Sequence, residues 1–520
     1  MPSVHPEFEI KYDVDDAFEL PSLAAVAGRR EDGVPVVEGE AVTHRLEATY
    51  FDTSDHRLAR ARLTLRRRTG GEDAGWHLKV PDAAGGRQEV RLPLRASTAT
   101  VPAALRKLVW AAARGQTLKP VARIRTERTV RHLIDATGQV LVEVADDRVQ
   151  AQRMSGSASV PVDSWREIEV ELRGGDRGWL DAVDATLRDL GVRKAQVQSK
   201  LARVLDADGA GATPAPRSGR KSKRSSPKSP AGDVVLHYAR QQVEQILTND
   251  PQVRLDIAGS VHRMRVATRR LRSALQTFKP VLDADVVTRL RAELRWLAAE
   301  LGAARDAEVM RDRMLTAVHE EDRAVDLGPL GNTLDEEMAR AYRVAHDGLL
   351  QSLDSERYRQ LVLALDRLVS HPPLSDRAQR PAAEVLPRRA GRAYARLRDL
   401  VDAYYQEPVA GGRDTHLHEA RKAAKKARYA GETVTEFFGK PAARFASAME
   451  NVQEDLGEFQ DSVVMRAKLE ELARRETVPA AAFAYGRLHA HEERRAELAV
   501  ERFKNSWRNA TKKSLRAWMN

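Results

Sequence analysis

The chain has 520 residues, a formal net charge of +11, 31% charged residues and no cysteine. That length calls for two or three domains rather than one core. The lack of cysteine excludes disulfides and thiolate metal sites and fits a reducing compartment. The basic balance suits nucleic acid, phosphate polymers or an acidic surface without choosing among them.

The N-terminus, residues 1–12, is charged and carries no apolar segment, and no run of about 18 apolar residues occurs anywhere. Neither a signal peptide nor a membrane span is expected, so the expected setting is cytoplasmic.

Residues 1 to about 205 read mainly as strands. Alternating runs recur at 8–12, 63–68, 76–80, 89–94, 121–133, 140–144 and 165–172. Turn-forming stretches such as Thr69-Gly70-Gly71-Glu72-Asp73 separate them. Helices are expected near 101–114 and 178–190. Many antiparallel strands with few helices predict a barrel or sandwich.

Several of these strands keep their charges on one face. Glu7, Glu9 and Lys11 alternate with Phe8 and Ile10; Glu167, Glu169 and Glu171 repeat the arrangement; Glu143 and Asp147 share a parity. Between them come Arg66 and Arg68, His77 and Lys79, then Arg87, Glu89 and Arg91. One such strand is ordinary at a surface. The same habit on several strands predicts a barrel with a charged interior, a poor core unless it holds an ion and its ligand. Clustered carboxylates offer the hard oxygens that Mg²⁺ or Mn²⁺ prefers, and Arg and Lys grip phosphate oxygens. Together they are equipment for hydrolysing a polyphosphate.

Residues 206–232 are rich in Pro, Ser, Gly and basic side chains, without apolar anchors, and read as a flexible linker. From 233 to 520 the period becomes helical, with breaks at 279–280, 371–373, 407–412 and 439–441. A basic stretch appears twice there. His262, Arg265, Arg269 and Arg272 share one helical stripe, as do His418, Arg421, Lys425 and Arg428. Like charges so stacked repel by a few tenths of a kcal/mol per pair, and two copies at one spacing point to a bound polyanion more than to a solvated face. The repeat extends further: Leu301-Gly302 with Asp306 pairs with Leu456-Gly457 with Asp461, about 44 and 43 residues after the respective His. A duplicated helical unit is expected, with both stripes on one groove. Asp306 and Asp461 are expected to pair with and orient Arg side chains.

The first half resembles the CYTH domain of the triphosphate tunnel metalloenzymes. The resemblance rests on Glu7-x-Glu9-x-Lys11, Tyr50-Phe51-Asp52-Thr53, Leu65-Arg66-Arg67-Arg68, Leu78-Lys79, Arg87-Gln88-Glu89, Arg128, Glu167-Ile168-Glu169-Val170-Glu171 and Ser199-Lys200, in that order. It implies an antiparallel β-barrel tunnel over residues 1–205. Glu7 and Glu9 would serve metal binding and water activation. Glu167 and Glu169, with Glu143 and Asp147, would hold Mg²⁺ or Mn²⁺. Lys11, Arg66, Arg68, Lys79, Arg128 and Lys200 would bind triphosphate. His77 departs from the resemblance, which implies a small polar residue there. The second half, 233–520, resembles the all-α, duplicated CHAD domain, which implies polyphosphate binding by the two basic stripes.

The whole chain is thus expected to be an α+β multidomain protein. Its expected activity is metal-dependent hydrolysis of inorganic triphosphate or short polyphosphate ends, with polyphosphate granules as a place of association. A non-catalytic polyphosphate-binding protein remains open, as do adenylate cyclase and thiamine triphosphatase activities, since all these substrates offer the same phosphates. Nucleic acid is disfavoured by the 5% aromatic content and the lack of an aromatic-interleaved basic motif.

Overall fold

The computed structural model describes residues 3–22, 35–82, 85–94, 100–155, 158–197, 199–206, 229–322 and 330–519. Most of the expected linker, 207–228, lies outside the described residues. Contacts divide the chain into two compact units, Met1–Gly219 with Asp250–Ile257, and Arg220–Asn249 with Ala258–Asn520.

The first unit is built on an antiparallel sheet. Its strands are β1 (Ser3–Glu7), β2 (Glu9–Val14), β3 (Val36–Glu38), β4 (Val42–Asp52), β5 (Thr64–Thr69), β6 (Gly75–Pro81), β7 (Arg87–Pro93), β8 (Lys119–Asp135), β9 (Val140–Ser155), β10 (Ala158–Leu172) and β11 (Arg193–Lys194). They lie in the order β1-β7-β6-β5-β4-β8-β9-β10-β2-β11, with β3 against β8. The expected barrel takes the form of a curled sheet. Its flanks end on consecutive segments, β1 paired with β7 and β2 with β10, parted at Phe8. The Phe8 carbonyl still accepts from Leu172 N at 3.0 Å.

Strands β9 and β10 run well past the expected 140–144 and 165–172. Residues 145–155 mix acids, Arg and Gln too freely for apolar alternation to reveal the strand; its ladders to β8 and β10 supply the order.

The apolar faces of the strands point out of the curl. Val142, Val144, Ile168 and Val170 are buried against Trp179, Val183 and Leu187 of the helix Arg177–Asp189. Leu65, Trp76, Leu78 and Val90 cluster with Leu105, Val109 and Ala112 of the helix Ala103–Ala113. Ile124, Val149 and Ala151 cluster with Leu201, Val204 and Leu205 of the short helix Lys200–Asp206. Burial of side chains this size contributes about 1.5–3 kcal/mol each. The stabilising core therefore surrounds the sheet and leaves its concave face to charge.

The second unit is helical. The first basic stripe lies on Ser260–Thr277, followed by the long helix Ala284–Asp322; the second lies on Ala410–Phe438, followed by Lys440–Arg475. Each stripe sits opposite an apolar seam. Leu417, Ala420, Ala424 and Ala427 pack in one core with Phe445, Met449, Val452 and Leu456. Val261, Met264, Leu271 and Leu275 are the buried counterparts on the first copy. The break expected at 439–441 is a glycine hinge between helices: Gly439 has φ +63° and ψ −144°, with a proline in the first turn that follows.

Candidate active site

Antiparallel register brings the charged residues of the first unit together. Arg128 stands opposite Asp147, Asp147 opposite Glu167, Glu169 opposite Lys11, and Lys79 opposite Glu89. The concave face encloses a cavity of about 460 Å³ lined by Glu7, Glu9, Lys11, Arg66, Arg68, Lys79, Arg128, Glu143, Glu169 and Lys200. Asp147 and Glu167 are buried behind this wall rather than on it.

The deepest part is acidic. One carboxylate oxygen each from Asp147, Glu167 and Glu169 lies within 4.8 Å of the others. Lys200 Nζ is 2.7 Å from all three residues. Arg128 donates to Asp147 at 2.7 and 2.6 Å and also to Glu169. Lys11 contacts Glu169 and lies 3.1 Å from Glu9. Trp165 Nε1 donates to Glu167 at 2.5 Å. Burial opposes charge on Asp147, yet Arg128 and Lys200 hold its carboxyl below the usual range. Glu169 is likewise held down, against burial, by Lys11, Lys200 and Arg128. Glu9 is brought to about 2, where Lys11 and Lys79 outweigh its burial. All three are carboxylates at neutral pH.

The wall opposite is cationic. Burial and the nearby Arg66 and Arg128 lower Arg68 to about 9, and its partner is Asp73 of the β5–β6 turn. Arg66 lies 3.5 Å from the Tyr50 hydroxyl and 3.9 Å from Glu89. His77 is buried, with Nδ1 2.9 Å from Glu89 and Nε2 2.9 Å from the Asp73 carbonyl. It braces Glu89 and the turn instead of lining the cavity. Lys79 contacts Glu7. At the mouth, Arg173 lies 3.0 Å from both Glu143 and Glu171. Burial raises Glu171 to about 7, against the pull of Arg173.

The donor set fits a divalent metal: the acids are all hard oxygen ligands, and Glu7 Oε2 is buried with no hydrogen-bond partner among the described residues. The sequence reading missed Asp73 and Tyr50 as parts of this wall. Nothing in the sequence marks a turn acid as the partner of a strand Arg five positions earlier. Glu89 and Arg87 carried a signal in their alternation, and both line the cavity.

In the helical unit all eight stripe residues line one cavity of about 1470 Å³. The Leu-Gly…Asp element explains itself there. The Arg265 guanidinium lies 3.6 Å from where a Gly302 side chain would stand, and reaches Asp306 at 3.0 Å. Arg421 does the same over Gly457, 3.4 Å away, and reaches Asp461 at 3.4 Å. Each glycine clears the helix surface and the Asp one turn on fixes the Arg. His418 Nδ1 is 2.6 Å from Gln460. Arg428 is more constrained than the stripe implied: it lies 2.7 Å from Glu432 and from Glu450. Arg269, Arg272 and Lys425 form no ion pair among the described residues. Burial lowers Lys425 to about 6, and Arg269, Arg421 and Arg265 add to the effect. Arg291, Arg295 and Arg305 of Ala284–Asp322 also line the cavity. They were legible as basic residues of a helix, but only packing shows which way they face.

Family comparisons match a CYTH domain at residues 5–203 and a CHAD domain at 237–470. An uncharacterized protein of Mycobacterium tuberculosis is 37% identical over 527 aligned positions, covering 98% of this chain and 97% of the relative. Among solved structures, PptA from Streptomyces chartreusis is 26% identical with a TM-score of 0.47, covering 54% of this chain and 100% of its own. The CHAD domain from the plant Ricinus communis is 26% identical with a TM-score of 0.43, covering 54% and 93%. The chain belongs to the family of proteins in which a CYTH domain, the domain of the triphosphate tunnel metalloenzymes, is followed by a CHAD domain.

Proposed function

We propose that the curled sheet hydrolyses inorganic triphosphate, or the ends of short polyphosphate, with Mg²⁺ or Mn²⁺, and that the helical unit binds polyphosphate. The observation that carries this is the meeting of Lys11, Arg66, Arg68, Lys79, Arg128 and Lys200 on one cavity beside a buried set of carboxylates. Six cations suit a chain bearing four to five negative charges, and the enclosure keeps bulk water from screening them.

The chemistry divides between the walls. Arg66, Arg68 and Arg128 grip phosphate oxygens and hold the chain in line, with Lys11, Lys79 and Lys200 as point charges. Asp147, Glu167 and Glu169, with Glu7, Glu9 and Glu143 towards the cavity, would hold a divalent metal, which would supply charge neutralisation at the terminal phosphoryl group. Glu9, ionised at any physiological pH, and the free Oε2 of Glu7 orient the attacking water and accept its proton. Water oxygen bonds to the terminal phosphorus, the bridging P–O bond breaks, and the cations stabilise the departing pyrophosphate. Among the described residues the helical unit has cations but no acid cluster suited to a metal beside Arg269 and Arg272, so its part is binding.

The test is phosphate release from triphosphate by the full chain with Mg²⁺ or Mn²⁺. Glu9→Gln should cut it by about 10² or more. Undiminished release by that variant would sink the assignment. Running ATP and thiamine triphosphate in parallel, with cyclic AMP as a second product to detect, separates triphosphatase from the alternatives that share these phosphates. Polyphosphate binding without any turnover would make the protein a binding module.

A further inference from the structure

The acidic cage deep in the curled sheet has its centre already filled. Asp147, Glu167 and Glu169 offer three oxygens at a spacing suited to a divalent cation. What sits among them is the Lys200 ammonium, 2.7 Å from each residue. Lys200 is delivered there by its backbone. It opens the helix Lys200–Asp206, whose Leu201, Val204 and Leu205 are buried in the outer core with Ile124, Val149 and Ala151. Lys11 and Arg128 complete the shell, so three carboxylates already face three cations.

A divalent ion cannot simply join this cluster. It would meet Lys200 at contact distance, at a repulsion that a buried site does little to screen. It must take the ammonium's place, and the ammonium then needs another anion. The adjoining cavity, lined by Arg66, Arg68 and Lys79 as well as Lys200, is where such an anion fits. A phosphate chain there can draw off Lys200 and Arg128 together and leave the carboxylates open.

We infer that Lys200 is a tethered stand-in for the metal. It closes the Asp147–Glu167–Glu169 cage to divalent cations while the cavity holds no phosphate, and vacates it when a phosphate chain takes its ammonium. Metal and phosphate chain then bind as a pair, each raising the other's affinity by the same factor. The pairing rests on the triphosphate reading of the cavity; the exclusion of metal by Lys200 stands without it.

The test uses the full chain and Mn²⁺ alone, followed by the electron paramagnetic resonance signal of free Mn²⁺ in phosphate-free buffer. Lys200→Met should gain a Mn²⁺ site about tenfold or more tighter than any in the unaltered chain, within the usual range of coupling between sites. Lys200→Arg, which refills the cage with a cation, should bind Mn²⁺ as weakly as the unaltered chain. Adding Glu167→Gln to Lys200→Met should erase the gain. If Lys200→Met unfolds for want of a counter-ion, Mn²⁺ should restore its melting transition, an effect absent in the unaltered chain. Equal Mn²⁺ affinity with and without Lys200, or an unfolded variant that Mn²⁺ leaves unfolded, overturns the exclusion. In a second arm, the non-hydrolysable imido analogue of triphosphate should increase protein-bound Mn²⁺ in the unaltered chain and far less in Lys200→Met. No increase overturns the pairing. An analogue that does not bind at all defeats the triphosphate reading and the pairing with it, while the Mn²⁺-only comparison still decides the exclusion.

Discussion

If the helical unit binds polyphosphate as proposed, Lys425 should make that binding a proton-linked event. This lysine shares the helical cavity with Arg421, one turn earlier on its own helix, and with Arg269 and Arg265 of the other stripe, and burial with these neighbours lowers it to about 6. At pH 7.5 only about 3% of such a group is charged. A polyanion laid along the stripe cancels the repulsion and favours the charged form, so binding should draw in about one proton per chain bound. The sign follows: affinity rises as pH falls from 7.5 towards 6, by up to about tenfold per unit, and levels off once Lys425 is protonated before binding. Calorimetric titration with long polyphosphate, in two buffers of different ionisation enthalpy and equal salt, reads the proton count directly. Uptake should approach one at pH 7.5 and shrink towards pH 5. Lys425→Met should abolish most of it, which separates Lys425 from His262 and His418 beside it. Binding with no proton uptake at pH 7.5 would refute the account of this lysine.

Two further outcomes are expected. Replacing Arg265 and Arg421 together by Gln should weaken polyphosphate binding by about ten- to a hundredfold, yet leave triphosphate turnover within about twofold; equal loss of both would tie the stripes to catalysis. Stability should also fall in acid. The carboxyls of Glu9, Asp147 and Glu169 are held below their unfolded values, Glu9 at about 2. Their contribution is therefore complete above about pH 4.5 and lost as pH falls through the folded values. The melting temperature followed by circular dichroism should drop steeply between about pH 4.5 and 2.5. A flat profile across that window would show that the ion pairs of the cavity do not stabilise the fold.

The division into a strand half and a helical half was readable in the change of period from two to 3.6 residues, and the strand faces announced the charged interior. Glu7, Glu9 and Lys11 could be read as one face because β1 and β2 continue one another with a single break at Phe8. The extent of β9 and β10 was not readable, since their distal parts are ordered by neighbouring strands instead of by apolar alternation. Ser199-Lys200 placed Lys200 among the expected triphosphate cations, but its contact with all three buried acids was not readable; it depends on the short helix that the outer packing of Leu201, Val204 and Leu205 holds in place. In the helical half the repeated glycine was visible as a motif, but its purpose was not. A flat guanidinium lying over Gly302 or Gly457 is a fact of contact, not of spacing.

The placing of the apolar core outside the curl has an evolutionary consequence. In most domains the interior fixes the fold and the surface is free to drift; here scaffold and chemistry occupy opposite faces of the same strands. Outward residues such as Val144 or Leu78 can be varied only as packing allows. Inward residues are released from packing but bound to one another by charge. A lone neutralisation at Lys11 or Glu169 strands its partner, whereas a matched pair of changes leaves the balance intact. New substrate preferences should therefore arise inside this sheet through complementary double changes, with the helical sheath unaltered.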